Sequence, residues 1–219
     1  MSKIIVNSIT HSGNSGTDNL TLDNSGNLTT AGNLSVTGNL SVTGTGGSGS
    51  VIEQFFYPCI GETVTTSAGD ITLGDVTALQ NGTTTYTDLT GSTVAYTPPS
   101  GTKTVIYKFQ FQHSRNNDTY QIGHFKFFID SDEVTKAYLT HSAEDVQDLV
   151  TFEWPIRIGG TADTTSGRVA SWTSNKTLKM QYRDYSTNND TQAHVTQNTD
   201  GTGTGTVVTP RIGITALKT

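Results

Sequence analysis

Proton transfer and metal binding call most often on histidine, and the chain has five: His11, His113, His124, His141 and His194. They are scattered, with no H-E-x-x-H and no pair at ligand spacing. No G-x-S-x-G nucleophile elbow occurs. The G-x-G-x-G of "GTGTGT" (201–206) lacks the lysine of a phosphate-binding loop and lies between strand-like segments. Two groups of carboxylates could do chemistry. Asp130, Asp132 and Glu133 in "DSDEV" offer oxygen ligands to a hard cation, but without calcium-loop spacing or its glycine they read as a hairpin turn. Glu53, Glu62, Glu144 and Glu153 could supply a glycosidase acid/base pair only if the fold brought two of them together. The remaining candidates are two similar polar segments, "HSRNNDTYQ" (113–121) and "DYSTNNDTQ" (184–192). Tyrosine faces beside amides and hydroxyls grip polar glycans. Arg115, Asn116, Asn117, Tyr120, Tyr185, Asn188 and Asn189 are therefore the candidate receptor-loop residues.

The elements that must position these loops follow from composition. Of 219 residues only 15% are charged, about ten points below the usual share, and Gly, Ser, Thr and Asn supply the hydrophilicity. That balance suits a β-rich chain with many tight turns rather than a helical bundle. A net charge of -6 gives no basic field for nucleic acid. The start "MSKIIVNSIT" is too short in apolar residues for a signal peptide, and no run reaches membrane-spanning length. The expectation is a soluble protein made in the cytoplasm, with no membrane insertion. Cys59 is the single cysteine, so an internal disulfide or a cysteine zinc cage is excluded. It reads as a small buried hydrophobe beside Phe55, Phe56 and Tyr57.

Residues 26–44, "GNLTTAGNLSVTGNLSVTG", repeat Gly-Asn-Leu with a spacing of six. Six residues turn a helix through about 240°, which scatters the leucines, whereas an even spacing keeps every copy on one face of a strand. Proline is absent and glycine misses the collagen period of three. Too few copies are present for one chain to close a solenoid core by itself. The reading is a β stem over 13–43 that three chains complete, its core formed by Leu28, Leu34, Val36, Leu40 and Val42, with a flexible low-complexity tether as the alternative. Before it, segment 1–12 is a docking strand through Ile4, Ile5, Val6 and Ile9; after it, 44–50 ("GTGGSGS") is a hinge.

From residue 51 to 219 the pattern changes to alternating strands. Val105, Tyr107, Phe109 and Phe111 share one face, as do Phe125, Phe127 and Ile129, and likewise Val150, Phe152, Trp154, Ile156 and Ile158. Pro155 places that third run at an edge or a bulge. Leu178, Met180 and Tyr182 form a further face, and so do Ile212, Ile214 and Ala216. Further strands are expected at 51–57, 62–66, 83–88, 92–97, 134–140, 167–172 and 192–197, with a helical turn capped by Ser142. The expected fold is all-β: a stem followed by an antiparallel sandwich of jelly-roll type, with an up-and-down barrel as the alternative.

The leader "KIIVNSITHSGNSGTDNLTLDNSGNLTTAGNLSVTG" and the segments "STVAYTPPSGTKTVIYKFQF", "HFKFFIDSDEVT" and "IGGTADTTSGRVASWTSNKTLKMQYRDY" resemble virion structural proteins of marine and cyanobacterial phages. These are usually described as tail-fibre proteins. The resemblance implies a homotrimeric, non-catalytic fibre of the virion, anchored by its N-terminus to other virion proteins. It carries over no catalytic or receptor residue, and no cofactor or metal is expected. The chain is shorter than many tail fibres, which leaves a capsid-borne head fibre or decoration protein as the alternative. A polysaccharide depolymerase is the alternative of a different class. The expected contacts of the head are a host surface glycan or an outer-membrane protein.

Overall fold

Alternating apolar residues carry through into strands wherever the alternation is longest. The computed structural model describes residues 8–9, 20–22, 28–30, 49–115, 122–142, 147–185, 191–196 and 205–218. It divides into two units, Met1–Gly44 and Thr45–Thr219.

In the first unit β1 (Ser8–Ile9), β2 (Leu20–Leu22) and β3 (Leu28–Thr30) form an antiparallel sheet in that order. Ile9 pairs with Leu20 and Leu22 with Leu28. Directly opposed residues share a face and so do residues two apart, so Ile9, Leu20, Leu22 and Leu28 hold positions on one face. Ile9 thus belongs to the same sheet as the start of the repeat. Ile4, Ile5, Val6, Leu34, Val36, Leu40 and Val42 lie outside the described residues.

The second unit begins with β4 (Ser50–Pro58), β5 (Thr63–Thr66), β6 (Gly69–Thr72), β7 (Gln80–Asn81), β8 (Thr87–Asp88) and β9 (Val94–Tyr96). The middle holds β10 (Thr104–Arg115), β11 (Ile122–Ile129), β12 (Asp132–Glu133), β13 (Leu139–Ser142) and β14 (Gln147–Arg157). It ends with β15 (Lys176–Asp184), β16 (Thr191–Ala193), β17 (Val195–Thr196), β18 (Thr206–Val207) and β19 (Arg211–Lys218). The principal strands make two antiparallel sheets, β4-β19-β10-β14 and β9-β15-β11-β13. By chain rank these orders are 1-8-3-6 and 2-7-4-5, the double Greek key of a jelly roll. Every link between consecutive principal strands changes sheet except β11 to β13, which excludes an up-and-down barrel. β16 and β7 extend the first sheet beside the end of β10, and β8 and β12 extend the second.

The facing apolar rows fill the space between the sheets. Val105, Tyr107, Phe109, Phe111, Phe125, Phe127, Ile129, Leu178, Met180, Tyr182, Ile212, Ile214 and Ala216 are all buried, as their alternation predicts. Each large side chain removed from water contributes about 1.5–3 kcal/mol. Aromatic pairs span the sandwich, with Tyr107 and Phe127 centroids 4.9 Å apart and Phe127 and Phe152 5.4 Å apart. Buried tyrosine hydroxyls keep partners: Tyr107 donates to Ser92 O at 2.6 Å and Tyr96 to Glu53 Oε1 at 2.6 Å. Cys59 is buried and its Sγ faces Gly91 O at 3.4 Å.

Three local expectations are corrected. Residues 167–172 form isolated bridges rather than a strand, because Gly167 turns the backbone at φ +74 after a Thr164–Gly167 turn. Trp172 is nevertheless buried, donating from Nε1 to Tyr96 O at 3.0 Å. Thr135–Ala137 is a single 3-10 turn that delays the strand to Leu139. Residues 143–146, where part of the expected helical turn after Ser142 falls, lie outside the described residues. Gln147, Asp148 and Leu149 are laddered onto β10 and so are not helical. Ladder pairing with a twelve-residue central strand outweighs their local propensity. Pro155 lies on β14, an edge strand, as expected. Among the described residues no helix is long and apolar enough to cross a membrane.

Candidate functional site

The jelly-roll order sorts the loops into two ends. At one end the chain enters the sandwich: Gly49 N–H donates to Lys218 O at 2.8 Å, and Thr104 lies opposite both Leu217 and Arg157. At the other end the flanks of both Asn/Asp-rich segments come together. Arg115 pairs with Thr191, Gly123 with Asp184, Ile122 with Ser142, and Ser114 with Gln147. Two stretches about seventy residues apart in sequence therefore leave their strands side by side.

A polar core underlies this end. His113 continues the inward row of β10 and is completely buried. Its Nδ1 lies 2.9 Å from Nδ1 of His141 on the opposite sheet, so one ring donates and the other accepts. His141 Nε2 in turn lies 3.6 Å from Asp148 Oδ2. Burial, then the neighbouring His141, push the His113 pKa down to about 3, so the ring stays neutral. Asp148 lies beyond hydrogen-bond distance of His141, so the hydrogen-bonded unit is the His141–His113 pair. It ends on His113 Nε2, which has no partner among the described residues and faces Gly123.

Beside it, Asp184 Oδ1 accepts from Thr191 Oγ1 at 2.5 Å and from Thr191 N–H at 3.3 Å, and Tyr182 OH hydrogen-bonds Thr191 Oγ1. Asp184 N–H donates to Thr83 O and Gly82 N–H to Thr191 O, both at 2.8 Å. A Cβ on Gly82 would lie 1.9 Å from Asp184 Oδ1, so only glycine fits there. This network ties the base of the 186–190 segment to residues 80–83. Its chemistry is that of a clamp.

Of the candidate loop residues, Arg115 is half-buried at the end of β10, and Tyr185 is 54% exposed. Tyr185 N–H donates to Ile122 O at 2.9 Å and its ring stands 5.7 Å from that of His124. Asn116, Asn117, Tyr120, Asn188 and Asn189 lie outside the described residues. The outward face of the second sheet adds residues the sequence reading did not single out. Lys126 Nζ sits 4.4 Å from the Tyr86 centroid and 5.5 Å from that of Tyr138, and Arg183 reaches Tyr86 at 5.3 Å. Glu133 pairs with Lys126 at 2.9 Å and accepts from Tyr138 OH. The signal for Lys126 and Arg183 was available as the outward half of β11 and β15, whereas Tyr86 and Tyr138 precede strands.

Of the acidic candidates, Glu144 lies outside the described residues, and the others that the structure places are apart. Asp130, at φ 56 in the β11–β12 turn, is held by Lys176 at 2.9 Å and by Thr177 N–H at 2.8 Å, whereas Glu133 belongs to Lys126. This is the hairpin turn the spacing implied. Glu53 and Glu153 sit on opposite edge strands with β19 and β10 between them, roughly 14 Å at the usual strand spacing. That exceeds the reach of a glycosidase pair, which is at most about 9.5 Å. Among the described residues no three His, Cys, Asp or Glu side chains form a group that could hold a metal. A groove of about 430 Å³ at the entry end is lined by Thr97–Lys103, Ile158 and Trp172, with no carboxylate in its wall.

The chain matches no protein-family model, and no curated protein is significantly similar to it. Among solved structures it resembles a chain from "Structure of infectious bursal disease virus Gt strain". Identity is 9% and the TM-score 0.34, over 90% of this chain and 50% of that one. The chain thus spans about half the length of that viral chain, and nothing is carried over from it.

Proposed function

We propose that the protein is a non-catalytic virion structural protein, a homotrimeric phage fibre whose N-terminal repeat joins three chains and whose β head faces outward. The observation that carries this reading is the polarity of the head. The chain enters at Gly49 and Ser50 at one end, and both Asn/Asp/Tyr-rich segments leave their strands at the other. A stalked binding module needs that arrangement. The resemblance of the leader and head segments to phage virion proteins adds to it. Arg115 and Tyr185 stand at the outward end, where a host surface glycan or outer-membrane protein is contacted. The separation of Glu53 from Glu153 on opposite edge strands favours adhesion over cleavage of that glycan.

Gold-labelled antibody against the head, viewed on virions by electron microscopy, tests the placement: label at the tail tip is expected. Label over the capsid shell assigns the chain to a head fibre or decoration protein instead. Labelling of neither overturns the virion reading. Release of reducing ends from host capsule or lipopolysaccharide overturns the non-catalytic one.

A further inference from the structure

Beyond the end of β14 the chain turns back along that strand and encloses a hollow. Gly159 N–H donates to Val169 O at 2.9 Å and Val169 N–H to Arg157 O at 3.0 Å, which docks residues 168–169 beside the strand end. Between these bonds the loop is tightly built. Asp163 and Arg168 exchange both backbone hydrogen bonds, each at 3.0 Å. Gly159 and Gly160 start the loop at φ +105 and +75, conformations open to glycine at little cost. The Asp163 carboxylate ties the turn from within, accepting from Thr165 N–H at 3.1 Å and from Thr165 Oγ1 and Ser166 Oγ at 2.7 Å. Trp154 Nε1 donates to Ser166 O at 3.1 Å, so the indole is fixed against the loop.

The hollow has a volume of about 220 Å³ and is lined by Trp154, Pro155, Arg157, Ser166 and Arg168. Its wall thus holds an indole, a proline ring, a hydroxyl and two guanidinium groups, and no carboxylate. Lys108, Lys126, Lys136, Lys176 and Lys179 each pair with a carboxylate of the head. Neither arginine of the hollow does. Arg157 is exposed, and its guanidinium has no partner among the described residues. Arg168 commits only Nη1, which donates to Gly159 O at 3.2 Å. The acids closest in the chain are already engaged, Asp163 within its turn and by Lys136 at 3.8 Å, and Glu153 by Lys108 at 3.6 Å. Two guanidinium forks with unused donors therefore converge on one cavity with an aromatic wall.

We infer that this hollow binds one anionic sugar residue of a polysaccharide, its charge carried by a carboxylate or a sulfate ester. A guanidinium fork donates two parallel hydrogen bonds to such an oxygen pair. Trp154 and Pro155 supply apolar surface for the C–H face of a pyranose ring. Ser166 Oγ donates to Asp163, which leaves its oxygen free to accept from a sugar hydroxyl. The volume falls below the roughly 300 Å³ at which pockets for drug-sized ligands begin, and so suits a single ring. Exposed Pro155 and Arg157 leave the rim open for the rest of the polysaccharide. Arg157 and Gln147 are opposite ends of β14, so this site is separate from the end that carries Arg115 and Tyr185. It does not rest on the trimeric reading.

The test titrates the full chain by calorimetry with trigalacturonate, a sulfated galactose tetrasaccharide, neutral galactotriose and sodium sulfate. One acidic saccharide is expected to bind, one site per chain, about tenfold or more tighter than galactotriose and than sulfate. Which of the two binds identifies the charged group. Trp172 is buried, so acrylamide quenching reads Trp154, and the bound saccharide is expected to protect that emission. Arg157→Gln is expected to weaken binding about tenfold or more with the urea midpoint of the head unchanged, because the side chain is exposed and unpaired. Arg157→Lys, which keeps the charge and loses the fork, is expected to fall between the two. Absence of binding by both acidic saccharides overturns the inference, and so does full affinity in Arg157→Gln. Sulfate binding as tightly as the sugars reduces the site to anion pairing and overturns the saccharide assignment. Each of these failures leaves the fibre reading standing.

Discussion

Acid should destabilise the head well before its carboxylates titrate. His113 and His194 are both fully buried, and burial holds their pKa values down, to about 3 and about 4 against 6.5 for a free imidazole. In the unfolded chain both rings take up a proton as pH falls below about 6.5, whereas the folded chain leaves them neutral until about 4. Stability is therefore complete above pH 6.5 and declines as pH falls through the window between the two values. Each ring contributes about 1.4 kcal/mol per pH unit. Between pH 7.5 and 5.0 the loss is about 2 kcal/mol per ring, or about 4 kcal/mol together, a large part of the ~5–15 kcal/mol available to a domain. Asp88, Asp130 and Asp163, whose pKa values are held low by their partners, act in the same direction only below about pH 4.5. Both tryptophans, Trp154 and Trp172, lie in the head, so urea unfolding followed by their fluorescence reports this unit. At fixed protein concentration these two rings give an expected slope between pH 6.0 and 5.0 of about 2.4 kcal/mol per unit, and His113→Leu lowers the slope by about 1.2. His124, held low by partial burial and Arg183, adds to the slope in the same direction. Comparing slopes cancels the packing lost in the variant. A flat profile over this window, or an unchanged slope in His113→Leu, would refute the assignment of these rings as buried neutral groups.

Gly123→Ala should cost about 1–3 kcal/mol, because its Cβ would meet His113 Nε2 at 2.7 Å and a Phe125 ring carbon at 3.0 Å; a urea midpoint within error of wild type contradicts this. The Cys59 thiol, pushed up to about 12 by burial, should fail to react with a chromogenic disulfide at pH 8 until urea unfolds the head. Release of one thiol equivalent per native chain refutes its burial. Leu34→Asp with Leu40→Asp should reduce the native mass from three chains to one while the fluorescence transition of the head survives. Persistence of the trimer removes the repeat from the association surface.

Alternation is a local property, and it was enough to place the inward residues of β10, β11, β14, β15 and β19, since a side-chain period of two puts each row on one side whatever its neighbour is. The class of fold and the edge position of Pro155 followed from the same local rules. The residues 135–137 and 167–172 broke the pattern because turn geometry at Gly167 and packing around buried Val134 and Trp172 prevailed over strand propensity. Which strands pair is decided by contacts far apart in sequence, so the pairing of His113 with His141, the pairing of Arg115 with Thr191 and of Gly123 with Asp184, and the clamp of Asp184 on Gly82 exist only in the assembled sandwich. The sequence displays Val51, Ile52, Phe56 and Tyr57 as an ordinary apolar strand. Only the tertiary structure makes that strand an edge and, through a one-residue bulge, turns its aliphatic side chains outward.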